Sequence, residues 1–218
     1  MACLAVITIK RFDAAKQRLA GTIDEDLRRR LAEAMLGDVL AAVREARLID
    51  GMIVVTGEGR AAVMAREAGA EVVADPEDGG HSAAASLGVA RAAERGADRV
   101  VLLPGDCPLL DPRELDRMLT GMPSPWVAVV PDRHGTGTNA VALAPPDAIA
   151  PAFGEGSCER HLELARAAGV PSSREEVPTL GLDLDTPADI VALTRELEAD
   201  RAAGRAGRAA RTAEALGI

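Results

Sequence analysis

Short apolar runs alternate with amphipathic stretches along most of the chain. The runs are almost wholly apolar, a pattern typical of strands that are covered on both faces of a sheet. They lie at residues 3–9, 52–56, 71–74, 99–103, 127–131, 138–143 and 181–184. Between them, apolar positions recur with helical spacing, which predicts helices. These lie at about 23–46, 59–68, 83–95, 112–121, 158–168 and from about 188 onward.

This alternation of strands and helices predicts an α/β protein with a mostly parallel sheet and helices on both faces. One local signal supports the last helix, because Thr186 is a good N-cap and Pro187 suits the first helical position. We expect one domain over residues 1–198. The Ala- and Arg-rich residues 199–218 are expected either to continue the last helix or to form a loose tail outside the domain.

Composition excludes several classes of protein. The chain of 218 residues is 48% hydrophobic, which is enough for a core, and its net charge of -9 disfavours binding to nucleic acid. Aromatic residues make up only 1%, which argues against stacking on single-stranded bases. The sequence has no run long enough to span a membrane, no signal-peptide pattern and no CxxC pair among its three cysteines. We therefore expect a soluble, reduced, cytoplasmic protein with neither nucleic-acid nor membrane partners.

The loop after the first strand, residues 10–21 and hereafter the first loop, concentrates positive charge. It contains both lysines of the chain, Lys10 and Lys16, together with Arg18. The glycine patterns of a P-loop and of a dinucleotide-binding turn are absent, so side chains rather than backbone amides are the candidate phosphate ligands. The alternative is a solvated basic loop that precedes a helix.

Carboxylates follow two other predicted strands. Asp106 lies in a Gly/Pro turn directly after strand 99–103, and Asp183 and Asp185 end strand 181–184 on one face of the sheet. Ligands bind at the carboxyl ends of strands in open α/β sheets, and Mg²⁺ takes carboxylates together with phosphate oxygens. Asp106 as a turn residue and Asp185 as a helix cap are the alternatives. Cys107 is interpreted as a buried, inert thiol.

Two Gly-rich loops offer a second site for an anion. Residues 132–138 supply hydroxyls and amides, and residues 153–157 bring Ser157 to a helix N-terminus, where free amides attract phosphate or carboxylate. An ordinary turn and an ordinary N-cap are the alternatives. The three histidines, His81, His134 and His161, lack metal-ligand spacing and are interpreted as satisfied or exposed side chains.

Taken together, these motifs resemble the guanylyltransferases of deazaflavin coenzyme F-420 biosynthesis, which belong to the MobA-like nucleotidyltransferase group. The resemblance extends to about residue 190, and the GTGT and FGxxS pair is its most specific part. The resembling stretches are KRFDAAKQRLAG (10–21), PGDCPLL (104–110), DRHGTGTNA (132–140), FGEGSCERH (153–161) and LDLDTPADI (182–190).

The resemblance implies a Rossmann-like nucleotide-diphospho-transferase fold, with GTP and either phosphoenolpyruvate or 2-phospho-L-lactate as substrates. It implies a nucleotide-phosphate loop and catalytic groups at Lys10, Lys16, Arg18 and Asp106. It implies binding of the phosphorylated acid at Thr138, Gly154 and Ser157. It implies Mg²⁺ as cofactor, held by Asp106, Asp183 and Asp185.

Other functions stay open at the level of sequence. Ser86 stands where the family carries an asparagine in a segment that faces the base, so guanine preference is less secure than nucleotidyl transfer. The first alternative is a MobA-like enzyme with another phosphorylated acceptor, although such proteins carry a Gly-rich first loop that is missing here. The second is a non-catalytic nucleotide-binding module. The bacterial character of the 153–161 loop favours phosphoenolpyruvate, and a homodimer is compatible with the sequence.

Overall fold

The computed structural model describes residues 1–12, 16–204 and 207–218. Seven strands form one sheet, and helices join them. The strands are β1 (Cys3–Ile9), β2 (Gly51–Thr56), β3 (Glu71–Ala74), β4 (Arg99–Pro104), β5 (Trp126–Pro131), β6 (Thr138–Ala144) and β7 (Ser172–Arg174). The helices are α1 (Glu25–Glu45), α2 (Gly59–Glu67), α3 (His81–Glu94), α4 (Pro112–Leu119), α5 (Ser157–Ala167), α6 (Pro187–Ala202) and α7 (Ala210–Leu216). Two single 3₁₀ turns, Gln17–Leu19 and Pro178–Leu180, complete the described elements.

The strand order across the sheet is β3-β2-β1-β4-β6-β5-β7. Strands β1, β2, β3 and β4 pair in parallel, and β5 pairs in parallel with β7. Strand β6 lies between β4 and β5 and is antiparallel to both. The sheet is therefore mostly parallel, as the alternation of strands and helices predicted.

Helices cover both faces of this sheet, which confirms the predicted α/β architecture. One core joins the sheet to α1, α2, α4, α6 and α7, and a second core joins the other face to α3 and α5. Close packing of α3 depends on Gly88, because a Cβ there would lie 2.2 Å from Val6 Cγ1 on β1. Among the described residues, no helix has both the length and the apolar character needed to cross a membrane.

The predicted strand at 181–184 is wrong. Residues 182–185 form an extended loop without strand pairing, in which Leu182 and Leu184 are buried. The alternation of apolar and acidic residues therefore arises because one side of the loop packs against the core, and not because these residues pair in a β-sheet. The strand that does form in this region is β7, which pairs with β5 although its sequence, Ser-Ser-Arg, carries no apolar signal.

The C-terminal residues pack against the domain, which corrects the expectation of a loose tail. Helix α6 continues to Ala202, in agreement with the alternative that these residues extend the last helix. The predicted domain boundary at residue 198 therefore falls inside a helix. Beyond it, α7 docks on α1, where the Thr212 backbone N–H and hydroxyl donate to Asp38 Oδ2 at 2.9 and 2.7 Å. Both side chains are buried, so this contact anchors the C-terminal residues. Residues 205–206 of the same segment lie outside the described residues.

Candidate active site

The functional candidates gather at one edge of the sheet because of how the strands run. Lys10 follows β1 and Asp106 follows β4, so both lie at the carboxyl ends of parallel strands. Thr138 is the first residue of β6, and because β6 runs the opposite way, its start lies at this same edge. Strand direction therefore brings residues from three distant segments to one cleft.

A cavity of about 620 Å³ opens at this edge. The nine residues to which the resemblance assigns a role all contribute to the lining of this cavity, and their roles stay predictions. They are Lys10, Lys16, Arg18, Asp106, Thr138, Gly154, Ser157, Asp183 and Asp185. Residues 13–15 of the first loop, which belong to the motif at 10–21, lie outside the described residues.

Lys16 forms the central ion pair of the cavity. Its Nζ lies 2.6 Å from Asp106 Oδ2 and 2.8 Å from Asp185 Oδ1, and only 5% of its side chain is exposed. The exposed Arg18 reaches the same site more loosely, with its guanidinium 3.8 Å from Asp185 Oδ2. Burial alone would lower the pKa of Lys16, but the charges and hydrogen bonds of the two aspartates outweigh burial and raise that pKa. Lys16 is therefore a permanent cation.

Negative charge nevertheless exceeds positive charge around the cavity. Among the described residues its lining holds seven carboxylates, from Asp75, Asp78, Asp106, Asp132, Glu155, Asp183 and Asp185, against three cations, Lys10, Lys16 and Arg18. Burial and then the charge of Asp106 raise the pKa of Asp183. Burial has the same direction on Asp106, but the charge of Lys16 outweighs it and lowers the pKa of that carboxyl. A polyphosphate can enter this acidic site only together with further positive charge.

The donor chemistry of this cluster fits a magnesium ion that shares its coordination with a substrate. The carboxylates of Asp106 and Asp185 both accept a hydrogen bond from the ammonium of Lys16, so their oxygens lie close to one point. Across the described ranges, no three acidic, histidine or cysteine side chains form a complete set of metal ligands. Lys16 stands between two of the three predicted carboxylates, Asp106 and Asp185, and the assignment of Asp106, Asp183 and Asp185 to Mg²⁺ stays a prediction. Mg²⁺ commonly uses only one or two carboxylates and completes its shell with phosphate oxygens and water.

Two hydroxyl groups form another part of the cavity lining. The Ser157 hydroxyl donates to Thr138 Oγ1 at 2.9 Å, and both residues are buried. The chain reaches Ser157 through Gly154 and Gly156, whose φ angles of 118° and 68° suit glycine. At Gly154, a side chain would be strained whatever the space around it. This tight turn brings the start of α5 to the start of β6.

The amides at the start of α5 are less available than the sequence suggested. The Ser157 N–H donates to Gly154 O, and the Cys158 N–H donates to Thr136 O. These bonds fix the loop to the helix and to the 132–138 turn. Because the Ser157 hydroxyl donates to Thr138, the Thr138 hydroxyl, rather than these two amides, is the donor available to a ligand here.

Sequence analysis missed a group of three packed rings next to the hydroxyls, of which His161 is fully buried. His161 is 0% exposed, and its Nδ1 lies 3.3 Å from Thr138 Oγ1. Phe153 lies edge-on to His161 and stacks face to face on His81, with ring centroids 5.1 and 4.0 Å apart. Burial lowers the pKa of each histidine to about 4. Only a weak signal for His161 exists in the sequence, since it lies four residues beyond Ser157, one helical turn along α5.

Two other candidates lie away from the chemistry. Ser86 is exposed on α3, does not line the cavity, and donates its hydroxyl to Ser82 O within the helix. The segment reaches the cavity instead through Gly80, His81 and Ala84. Cys107 is buried, and burial raises the pKa of its thiol well above the ordinary value. The interpretation of an inert thiol agrees with this environment.

Comparison with known proteins places these features in a family. Phosphoenolpyruvate guanylyltransferase of Conexibacter woesei is 46% identical over 209 residues, covering 94% of this chain and 93% of that protein. A second relative is 3-phospho-D-glycerate guanylyltransferase of Phenylobacterium zucineum. It is 36% identical over 216 residues, covering 97% of this chain and 94% of that protein.

Solved structures share the fold at low sequence identity. A nucleotidyl transferase from Methanothermobacter matches with a TM-score of 0.64 at 20% identity, over 89% of this chain and 97% of that one. A Mycobacterium tuberculosis protein solved in complex with manganese matches with a TM-score of 0.54 at 22% identity, over 89% and 99%. The family model described as "Guanylyl transferase CofC like" matches residues 3–199. Because this model matches most of the chain and the relatives above are similar over nearly their whole length, the chain belongs to this family of guanylyl transferases.

Proposed function

We propose that this enzyme transfers GMP from GTP to the phosphate group of a small phosphorylated acid, with phosphoenolpyruvate as the preferred acceptor and pyrophosphate as the second product. In this role it would serve coenzyme F-420 biosynthesis, the pathway that the family implies. The observation that supports the proposal most directly is that the first loop, the acidic cluster and the Thr138–Ser157 pair all line one cavity.

The two sides of the cavity suit the two substrates. Lys10, Lys16 and Arg18 supply the positive charge that a triphosphate needs. Thr138 and Ser157, in the same cavity, form a hydroxyl pair with one hydrogen left to donate to an oxygen of a smaller anion. We therefore assign the first loop to GTP and the Thr138–Ser157 side to the acceptor, so that the two anions meet between them.

The transfer needs no general base from the protein. A phosphate monoester has its second pKa near 6, so the attacking oxygen is already ionised at neutral pH. This oxygen forms a bond to the α-phosphorus of GTP, the bond from that phosphorus to its bridging oxygen breaks, and pyrophosphate leaves with the electron pair. The protein contributes by bringing the two anions together. Lys10, Lys16 and Arg18 would stabilise the negative charge that develops on the leaving pyrophosphate.

The acidic cluster supports the proposal of magnesium as the cofactor. Asp106 and Asp185, which converge on one point, would hold the ion, with Asp183 beside them. When bound, Mg²⁺ supplies positive charge against the phosphate oxygens. Lys16, which pairs with both carboxylates here, would then be available to the triphosphate. The choice of magnesium rests on its preference for carboxylate and phosphate oxygens.

The acceptor and the nucleotide are open to a direct test. The relatives' names include a phosphoenolpyruvate enzyme and a 3-phospho-D-glycerate enzyme, and 2-phospho-L-lactate differs from phosphoenolpyruvate only in saturation. Pyrophosphate release should be measured with each of the four nucleoside triphosphates against these three acids, with magnesium present. We expect release with GTP and phosphoenolpyruvate to be fastest. Binding of GTP without release from any pair would instead favour a non-catalytic module.

We also propose that the enzyme works in the cytoplasm, where its substrates are available. All three cysteines, Cys3, Cys107 and Cys158, are free and buried, which suits a reducing compartment. The groups assigned to both substrates come from one chain, and a homodimer stays a prediction.

A further inference from the structure

His161 has a defined hydrogen-bonding state. The Ala152 backbone N–H donates to His161 Nε2 at 2.9 Å, so this nitrogen is an acceptor and carries no hydrogen. The neutral ring must then carry its hydrogen on Nδ1. The lowered pKa of the buried ring agrees with a neutral imidazole at physiological pH. The contact with Ala152 therefore selects one tautomer.

This tautomer determines what the Thr138 hydroxyl can do. With this tautomer, His161 Nδ1–H faces Thr138 Oγ1 at 3.3 Å and can donate to it, while the Ser157 backbone is a second hydrogen-bond partner of the ring. The Ser157 hydroxyl donates to the same oxygen at 2.9 Å. A hydroxyl has two lone pairs and one hydrogen, so with both lone pairs engaged it can only donate. Because Thr138 lines the cavity, its hydrogen is left for a ligand there.

We propose that His161 is a positioning residue, which holds the Thr138 hydroxyl as a hydrogen-bond donor toward an anionic oxygen of the acceptor acid. The inference rests on the proposed function, which places the acceptor at Thr138 and Ser157. A hydroxyl that can only donate favours carboxylate and phosphate oxygens, which accept strongly, over N–H groups, which only donate. His161 thus selects for the charge of the acceptor without touching it.

Two amide substitutions separate the two contacts of the ring. The side-chain amide of asparagine reaches about as far as Nδ1 of histidine, and that of glutamine about as far as Nε2. His161→Asn therefore keeps a donor for Thr138 and loses the contact with Ala152. His161→Gln keeps an acceptor for the Ala152 N–H and loses the donor to Thr138. The pair is matched in chemistry and differs in which contact survives.

Steady-state kinetics should compare the KM for the acceptor and the KM for GTP in both variants. We expect His161→Gln to raise the KM for the acceptor about tenfold or more, since the Thr138 hydroxyl is no longer held as a donor toward the charged acceptor, with the KM for GTP nearly unchanged. His161→Asn should keep most of the wild-type affinity for the acceptor. If glutamine leaves the KM for the acceptor unchanged, or if both variants raise the KM of both substrates equally, the proposal is overturned.

A spectroscopic measurement keeps the inference testable if the variants fold poorly. The ¹⁵N spectrum of histidine-labelled wild-type protein should show His161 with a hydrogen on Nδ1 and none on Nε2, and the reverse tautomer would overturn the proposal. Wild-type protein that releases no pyrophosphate with any acid would refute the proposed function. Normal release together with an unchanged glutamine variant would refute only the role of His161.

Discussion

Lys16 Nζ lies 2.6 Å from Asp106 Oδ2, and this bond joins the first loop to the turn after β4 across 90 residues of sequence. The same ammonium also binds Asp185, so one buried cation neutralises part of an acidic cluster that would otherwise repel itself. Under the proposed function, Asp106 has two partners in turn, Lys16 before the substrates bind and the metal afterwards. Loss of its charge should therefore affect turnover more than folding.

Substitution Asp106→Asn tests this assignment. We expect kcat for pyrophosphate release to fall by about 100-fold or more, because a carboxylate that holds positive charge near the phosphates is lost. The fold should survive, since asparagine has the same size and can still accept a hydrogen bond from Lys16. Circular dichroism and the magnesium dependence of kcat are the measurements. The exposed Asp147, which is outside the cavity lining, provides the control variant Asp147→Asn. Full activity in Asp106→Asn would contradict the assignment of Asp106 to the metal.

Substitution Ser157→Ala tests the assignment of the two sides of the cavity. It removes a hydroxyl that donates to Thr138 Oγ1 at the acceptor side. We expect the KM for the acceptor to rise about tenfold, while the KM for GTP changes little. Initial rates with each substrate varied in turn give both constants. An equal loss of affinity for both substrates would mean that this side is misassigned.

Substitution Ser86→Asn tests whether this position influences the choice of base. Because Ser86 is exposed and outside the cavity lining, we expect the ratio of kcat/KM for GTP to that for ATP to stay within about threefold of wild type. The matched comparison is Ala84→Ser, which introduces a hydroxyl at a residue of the same helix that does line the cavity. A large change in the ratio from Ser86→Asn would show that α3 presents a different face to the nucleotide.

The buried histidines make the fold sensitive to mild acid. The pKa of His161 falls from 6.5 to about 4 on folding because the ring is buried, so the unfolded chain binds the proton more tightly. The stability that this provides is fully present above pH 6.5 and is lost as the pH falls toward 4; His81 contributes in the same direction. The free energy of unfolding in urea should therefore drop between about pH 7 and about pH 5. His161→Asn should lessen this drop by about 2 kcal/mol. An identical pH dependence in wild type and variant would contradict a buried neutral ring.

Residues next to strand ends were predictable from the sequence. Asp106 was found because a buried apolar strand precedes it, and Lys10 for the same reason. Asp185 was found from a predicted strand at 181–184 that does not form. The Thr186–Pro187 helix start that follows it is confirmed, since the Thr186 N–H donates to Asp189 Oδ2 in the cap. Such signals are local, since each depends on a few adjacent residues and on where a parallel strand must end.

Long-range contacts were not predictable in the same way. The meeting of Thr138 with His161 depends on the reversed direction of β6, and an apolar run does not reveal strand direction. The ion pair of Lys16 depends on loop conformations far apart in the chain. The docking of α7 depends on Thr212 and the buried Asp38, a polar contact within an Ala- and Arg-rich sequence whose composition suggested exposure.

Because β6 runs antiparallel to β4, one part of the cleft is built from a single continuous segment and the rest from segments far apart in the sequence. Under the proposed function, the nucleotide side includes the segments that follow β1 and β4, and the acceptor side comes from the continuous stretch of residues 132–161, in which β6 and α5 both begin. A change confined to that stretch could alter which acid is used and leave the GTP side intact. Relatives named for different three-carbon acids are what such modular divergence would produce.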